Sequence, residues 1–155
     1  ARRFDRLGAS SVPMASWWRT FWFKGPAAPA HLVKGERGER AAARHLRRQG
    51  YKILTRRFAG KHGEIDLVAR EGEVLAFVEV KTRASDEYGD AASAVDREKR
   101  RHLVSCAREY LRLLNNPRVP VRFDVVEVYL DDDAREPREV RLIRGAFAMP
   151  EHISD

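Results

Sequence analysis

The spacing of apolar and polar residues after residue 35 predicts elements in the order α-β-β-β-α-β-β. The first helix covers residues 36–49, because Ala42, Ala43 and Leu46 form an apolar stripe at helical spacing. Glu39 lies on the same face as this stripe, so we expect it to point inward. A place in the first helical turn accounts for that carboxylate, since a helix N-terminus favours anions.

Five segments have the alternation, or the β-branched and aromatic content, that is typical of strands. They cover residues 51–57, 64–70, 73–81, 121–130 and 140–144. In the second segment, Ile65, Leu67 and Ala69 are predicted to share one face. A loop at residues 82–90 follows the third segment, and a long helix with Asp96 as its N-cap then runs to residue 114.

The hairpin between the second and third strands gathers charged residues. A two-residue turn at Glu71-Gly72 would place Asp66 opposite Phe77, so that Asp66, Glu79 and Lys81 project from one side. The Cβ atoms of Asp66 and Glu79 would then be roughly 6–8 Å apart, as diagonal neighbours. A four-residue loop preserves this arrangement, whereas a three-residue loop would move Asp66 to the other face.

Two neighbouring carboxylates repel each other and raise each other's pKa, unless a cation compensates. Mg²⁺ suits the site because it binds carboxylate oxygens, keeps several waters and can activate a phosphate. Lys81 would then stabilise developing negative charge. The alternative is that Glu79 and Lys81 are surface charges paired on an edge strand. The apolar neighbours Phe77 and Val78 favour a buried strand instead, where Glu and Lys are rare.

Charge is distributed unevenly along the 155 residues, which carry a formal net charge of +7. Residues 1–60 contain fourteen Lys and Arg against three Asp and Glu, while the remainder is mildly acidic. This pattern indicates either a polyanionic partner or a solvated basic helix face. The single cysteine excludes an intrachain disulfide and a cysteine-based zinc cluster, and we expect a cytoplasmic setting. No apolar run approaches the roughly 18 residues of a membrane span.

The expected organisation is an N-terminal extension with a Pro/Ala linker at residues 1–34, a domain at 35–145 and a tail at 146–155. Met14 is a candidate natural start. The aromatic run at residues 17–23 has four open interpretations. It could contact a membrane surface, a partner or DNA bases, or pack on the domain's own core.

Three ordered motifs carry a resemblance to a known family. They are GERGERAA at residues 35–42, GEIDL at 63–67 and FVEVKTR at 77–83. Together they resemble the YraN family, an uncharacterised group of bacterial proteins that looks like the PD-(D/E)xK nuclease superfamily, with archaeal Holliday-junction resolvases among its nearest relatives. The resemblance covers residues 35–130. It implies an α/β, restriction-endonuclease-like α-β-β-β-α-β core, with a central mixed sheet flanked by helices.

The resemblance also implies roles for particular residues. Asp66 and Glu79 would be metal-binding carboxylates, with the Val80 carbonyl as a further ligand and Lys81 as the catalytic lysine. Glu39 would complete a second metal site, and Lys99 would be the basic residue that follows the core motif. The superfamily's Pro before the Asp is replaced here by Ile65.

The implied function is a Mg²⁺- or Mn²⁺-dependent endonuclease that hydrolyses phosphodiester bonds in DNA. Branched or junction DNA, recognised by structure rather than sequence, and a homodimer follow from the resolvase likeness. The alternative is a non-catalytic nucleic-acid-binding module with the same fold. The basic residues expected to contact phosphates are Arg44, Arg47, Arg48, Arg56, Arg57 and Lys99.

Overall fold

The structure is a computed structural model that describes residues 30–84 and 95–149. Its elements are α1 (Ala30–Arg48), β1 (Lys52–Gly60), β2 (Gly63–Glu71), β3 (Val74–Arg83), α2 (Arg97–Leu113), β4 (Val121–Tyr129) and β5 (Glu139–Phe147). The aromatic run, the candidate start at Met14 and most of the predicted loop at 82–90 lie outside the described residues. Within the described ranges, no helix is long and apolar enough to cross a membrane.

The strands form one mixed sheet in the order β1-β2-β3-β4-β5. The pair β3–β4 is parallel and the other pairs are antiparallel. Helix α2 connects the parallel strands, as such a crossover requires. The alanines of α1 pack on one face of the sheet, and α2 packs on the other through Leu103 and Ala107. The predicted α/β core with a mixed sheet flanked by helices is therefore confirmed.

Helix α1 approaches the sheet closely at Gly38. A Cβ atom at this position would lie 1.8 Å from the Thr82 Oγ1 atom of β3. The missing side chain therefore allows the helix backbone to reach the end of β3. The buried residues Ala41, Ala42 and Ala43 continue this contact with small side chains.

The start of α1 differs from the prediction. The helix begins at Ala30, inside the predicted linker, and the first-turn explanation for Glu39 is therefore wrong. Glu39 lies in the third turn, beyond the reach of the N-terminal dipole effect. The end of β5 also lies later than predicted. It reaches Phe147, whose ring stacks on Phe123 at 4.6 Å between centroids.

The β2–β3 turn has the predicted even length at a different position. Arg70 pairs with Leu75 and Glu71 with Val74, so the two turn residues are Gly72 and Glu73. The prediction of Glu71-Gly72 was wrong because Gly72 supplies the left-handed backbone, with φ 57°, at the first turn position rather than the second.

The corrected register changes the relation between the two candidate ligands. The paired residues extend to Leu67 and Val78, and continuing them brings Asp66 level with Glu79. The predicted pairing of Asp66 with Phe77 is therefore wrong, and the observed register moves Asp66 two residues along β3 toward Glu79.

Strand β2 does not alternate regularly through Asp66. Leu67 and Ala69 belong to the core beneath α1, whereas Ile65 belongs to the core beneath α2, so the predicted shared face is wrong. Asp66 and Arg57 stand between the residue pairs on either side of this change. Arg57 has φ 49°, and a left-handed residue of this kind locally rotates a strand pair. The candidate site therefore forms where the ladder is irregular.

Candidate active site

Glu79 is the most deeply buried member of the predicted triad. It lies on β3, between β2 and β4, with an exposed fraction of 4%. Its Oε1 atom is 3.1 Å from Lys81 Nζ and 3.3 Å from Lys99 Nζ. Its Oε2 atom is buried and has no hydrogen-bond partner. The edge-strand alternative is therefore wrong, and the site contains a carboxylate oxygen that a cation could bind.

Asp66 reaches the same part of β3. Its Oδ2 atom accepts a hydrogen bond of 2.7 Å from the Val80 amide. Burial, and after it the negative charge of Glu79, raise the pKa of Asp66 to about 7, although the hydrogen bond from Val80 opposes both effects. The carboxyl groups of Asp66 and Glu79 thus lie at the same part of β3, and Asp66 readily keeps a proton when no cation is present.

Glu39 is bound to an arginine. Arg57 Nε donates to Glu39 Oε2 at 2.7 Å, and a terminal nitrogen of Arg57 donates to Glu39 Oε1 at 3.0 Å. This forked bond is the main cause of the raised pKa of Arg57. Glu39 is nevertheless close enough for its charge to raise the pKa of Asp66. Its role as a ligand of a second metal remains a prediction.

The basic residues predicted for DNA contact fall into two groups. Arg47, Arg48 and Arg56 are exposed. The others form ion pairs within the chain: Arg44 with Glu136 at 2.6 Å, Arg57 with Glu39, and Lys99 with Glu79. Lys99 is thus brought to the candidate site from the first turn of α2, which agrees with its predicted position on the inner face of that helix.

Two acidic residues near the site received no role from the sequence. Glu64 is the second residue of β2, and burial raises its pKa, while the charge of Arg57 opposes this rise and the charge of Glu39 adds to it. Glu127 on β4 is 1% exposed and lies beside Lys81 in the parallel register. The GEIDL motif already contained Glu64. The sequence of β4 alternates like that of an ordinary strand and gave no sign of Glu127. Only the structure shows that this residue is buried.

A cavity of about 290 Å³ lies beside the site, on the α1 side of β3. Its lining residues are His31, Lys34, Gly35, Glu39, Val80, Thr82 and Ala84. Glu39 and Val80, two members of the predicted ligand set, line this cavity, whereas Glu79 and Lys81 lie toward α2 on the other face of the sheet.

Among residues 30–84 and 95–149, no three His, Cys, Asp or Glu side chains are grouped so as to hold a metal ion. A metal at this position would therefore depend on few protein ligands. Mg²⁺ fits that donor set, since it is commonly held by one or two carboxylates and several waters. The unpartnered Oε2 of Glu79 and the neighbouring carboxylate of Asp66 supply those two groups.

The chain is similar in sequence to a family of known proteins. The profile of the uncharacterised protein family UPF0102 matches residues 38–128. The chain belongs to UPF0102, the YraN family. A UPF0102 protein of Symbiobacterium thermophilum is 48% identical over 113 residues, covering 73% of this chain and 94% of that protein. A relative from Chlorobaculum tepidum is 40% identical over 118 residues, covering 74% and 92%. One from Solibacter usitatus is 46% identical over 116 residues, covering 73% and 84%.

The part of this UPF0102 chain that matches the family includes the whole candidate site. Glu39, Asp66, Glu79 and Lys81 all lie between residues 38 and 128, as does Glu127. The names of these relatives state no activity. The family assignment therefore confirms the resemblance drawn from the three motifs, and the chemistry must be argued from the geometry.

Proposed function

We propose that this UPF0102 chain is a Mg²⁺- or Mn²⁺-dependent endonuclease that hydrolyses phosphodiester bonds in DNA. The observation that carries the proposal is the buried Oε2 atom of Glu79, which has no hydrogen-bond partner although two lysines contact the other oxygen. A buried carboxylate oxygen without a partner is costly, and a divalent cation beside Asp66 and Glu79 would remove that cost.

Asp66 and Glu79 would hold the ion, together with the Val80 carbonyl. A bound ion would polarise the phosphate and lower the pKa of a water. The hydrogen bond from the Val80 amide orients the Asp66 carboxylate and favours its ionised form. The Glu79 carboxylate draws the ammonium groups of Lys81 and Lys99 to one point, so both lysines can neutralise charge that develops on the phosphate.

DNA would be held by basic residues that contact phosphates and do not read the base sequence. The exposed Arg47, Arg48 and Arg56 are suited to phosphate contacts, which supply affinity regardless of base sequence. Structure-specific action on branched DNA and a homodimer remain part of the proposal, and both rest on the resemblance to junction resolvases. The cytoplasmic setting, which rests on the single cysteine, is also part of it.

The test is a cleavage assay on junction, single-stranded and duplex DNA with Mg²⁺ or Mn²⁺. We expect the wild type to cut at least one substrate, and Asp66→Asn and Lys81→Ala to reduce the rate by about 10²–10³-fold. Asp133→Asn and Lys52→Ala are matched controls and should cut normally. Both residues are exposed, and Lys52 pairs with Arg70, at the other end of the β1–β2 ladder from Asp66. Equal rates in all five proteins would indicate a contaminating nuclease and refute the assignment.

A non-catalytic binding module is the second candidate, and a specific observation favours it. Glu79 already pairs with two lysines, and Glu39 already pairs with Arg57, so much of the site's charge is balanced without a metal. This candidate predicts DNA affinity that falls with salt and no metal-dependent cleavage of any of the three substrates. Fluorescence anisotropy beside the cleavage assay separates the two candidates.

A further inference from the structure

Glu79, Lys81 and Arg83 alternate along β3 and form a row on the face toward α2. The lysine of α2, Lys99, contacts Glu79 on this face. In the parallel register, Arg83 lies beside Tyr129, and Glu127 lies beside Lys81. Residues two apart on a strand share a face, so the arginine of the FVEVKTR motif stands next to the candidate active site.

Glu127 forms an ion pair with Arg83 from the neighbouring strand β4. Its side chain is 1% exposed, its Oε1 atom lies 3.4 Å from Arg83 Nε, and its Oε2 atom accepts a bond of 3.2 Å from the Tyr129 hydroxyl. Neither Glu127 Oε1 nor Arg83 Nε makes a hydrogen bond of good geometry. The pair is thus an ion pair, between a buried carboxylate and an arginine whose side chain remains 25% exposed.

A buried carboxylate is expensive unless it compensates a specific charge. Glu127 directs the Arg83 side chain from its Nε end, and the remaining guanidinium nitrogens are the ones that form bidentate bonds to phosphate. The side chains of Lys81, Lys99 and Arg83 are 31%, 35% and 25% exposed, so all three reach solvent on this side of the sheet. This arrangement suits a nucleic-acid backbone that passes over the site.

We propose that Arg83 binds a DNA phosphate next to the one that is cleaved, and that the buried Glu127 is its positioning residue. The proposal rests on the proposed nuclease function for its substrate, and it adds a phosphate contact that the three-residue core does not contain. It concerns binding, so it can be tested without any turnover.

The experiment measures the affinity of the full chain for a fluorescein-labelled DNA duplex in EDTA, at several salt concentrations. Each phosphate contact contributes about 0.9 to the slope of log affinity against log salt. Arg83→Gln should reduce that slope by about one contact and weaken binding about tenfold at low salt. Arg112→Gln is the matched control, because Arg112 is exposed in the last turn of α2, at the other end of the helix from Lys99. It should leave the slope unchanged.

Two further variants separate a phosphate contact from a structural ion pair. Arg83→Gln leaves Glu127 without its partner and could unfold the chain, so Arg83→Gln/Glu127→Gln removes both charges and should show the same loss of slope. Glu127→Gln keeps the arginine, and it should preserve the slope while weakening affinity about threefold. A purely structural pair would change stability and leave the slope of every folded variant at the wild-type value.

The outcomes also distinguish this proposal from the nuclease proposal. A reduced slope in the Arg83 variants supports the phosphate contact, even if the wild type cuts no DNA. An unchanged slope in a folded Arg83→Gln/Glu127→Gln protein overturns it, even if the wild type cuts DNA with Mg²⁺. A wild type that neither binds nor cuts DNA overturns both proposals.

Discussion

The carboxyl group of Asp66 should make the stability of this protein depend on pH and on metal. Its pKa in the folded protein is about 7, against 3.8 for an ordinary aspartate. Between these two pH values the folded chain keeps a proton that the unfolded chain has released. The free energy of unfolding therefore falls as pH rises through this window, and it stays low above pH 7.

The size of the effect follows from the difference in proton affinity. A pKa displaced from 3.8 to about 7 corresponds to about 4 kcal/mol at 1.36 kcal/mol for each tenfold change in affinity. Asp66 is only partly shielded from solvent. Screening by water therefore reduces its expected contribution to the free energy of unfolding to about 2–3 kcal/mol. Asp66→Asn cannot ionise and retains an oxygen that can accept the Val80 amide bond.

Urea denaturation in EDTA at pH 5 and pH 8 measures this contribution. We expect Asp66→Asn to be more stable than the wild type by about 1.5 kcal/mol at pH 5, where the unfolded chain has already released the proton, and by about 2–3 kcal/mol at pH 8. The matched substitution Asp133→Asn, on an exposed turn, should change neither value by more than about 0.5 kcal/mol.

Added Mg²⁺ supplies the second half of the test. At pH 8, Mg²⁺ at about 100 times its dissociation constant should stabilise the wild type by about 2.7 kcal/mol and leave Asp66→Asn nearly unchanged. The reasoning is refuted if the two proteins differ by the same amount at pH 5 and pH 8, because Asp66 would then be ionised at both values.

Two further predictions concern the elements that position the site. Gly38→Ala should destabilise the protein by about 1–3 kcal/mol, despite the better helix propensity of alanine, because the added Cβ would meet Thr82 Oγ1. In urea denaturation, the double variant Gly38→Ala/Thr82→Gly should recover most of that stability, and no recovery would show that the contact is not the cause. Asp96→Ala should cost about 1 kcal/mol, because the side chain accepts from the Lys99 amide at 2.7 Å; Asp96→Asn should retain most of this cap in thermal denaturation, and equal losses in both variants would contradict the capping role.

The elements and the location of the candidate site could be predicted from the sequence because they depend on local spacing. The alternation of β2 and β3 and the stripe of α2 are repeated within short windows, and the N-cap at Asp96 depends on its immediate neighbours. The even number of turn residues explains why the misplaced turn did not change which residues were predicted to share a face. Any even-length turn keeps opposed residues in the same alternation, so Asp66 and Glu79 come together whether the turn residues are 71–72 or 72–73.

The tertiary structure alone decided which charges meet. Glu39 pairs with Arg57 of β1, Lys99 reaches Glu79 from another helix, and the buried Glu127 of β4 holds Arg83. Spacing along the chain reveals none of these partners, because they depend on which strands are neighbours and on how much water each group loses. The change of face at Asp66 has the same origin, because it lies opposite the left-handed Arg57 of the neighbouring strand. Sequence thus determined the elements and the candidate residues through local periodicity, whereas burial and long-range pairing set their electrostatics.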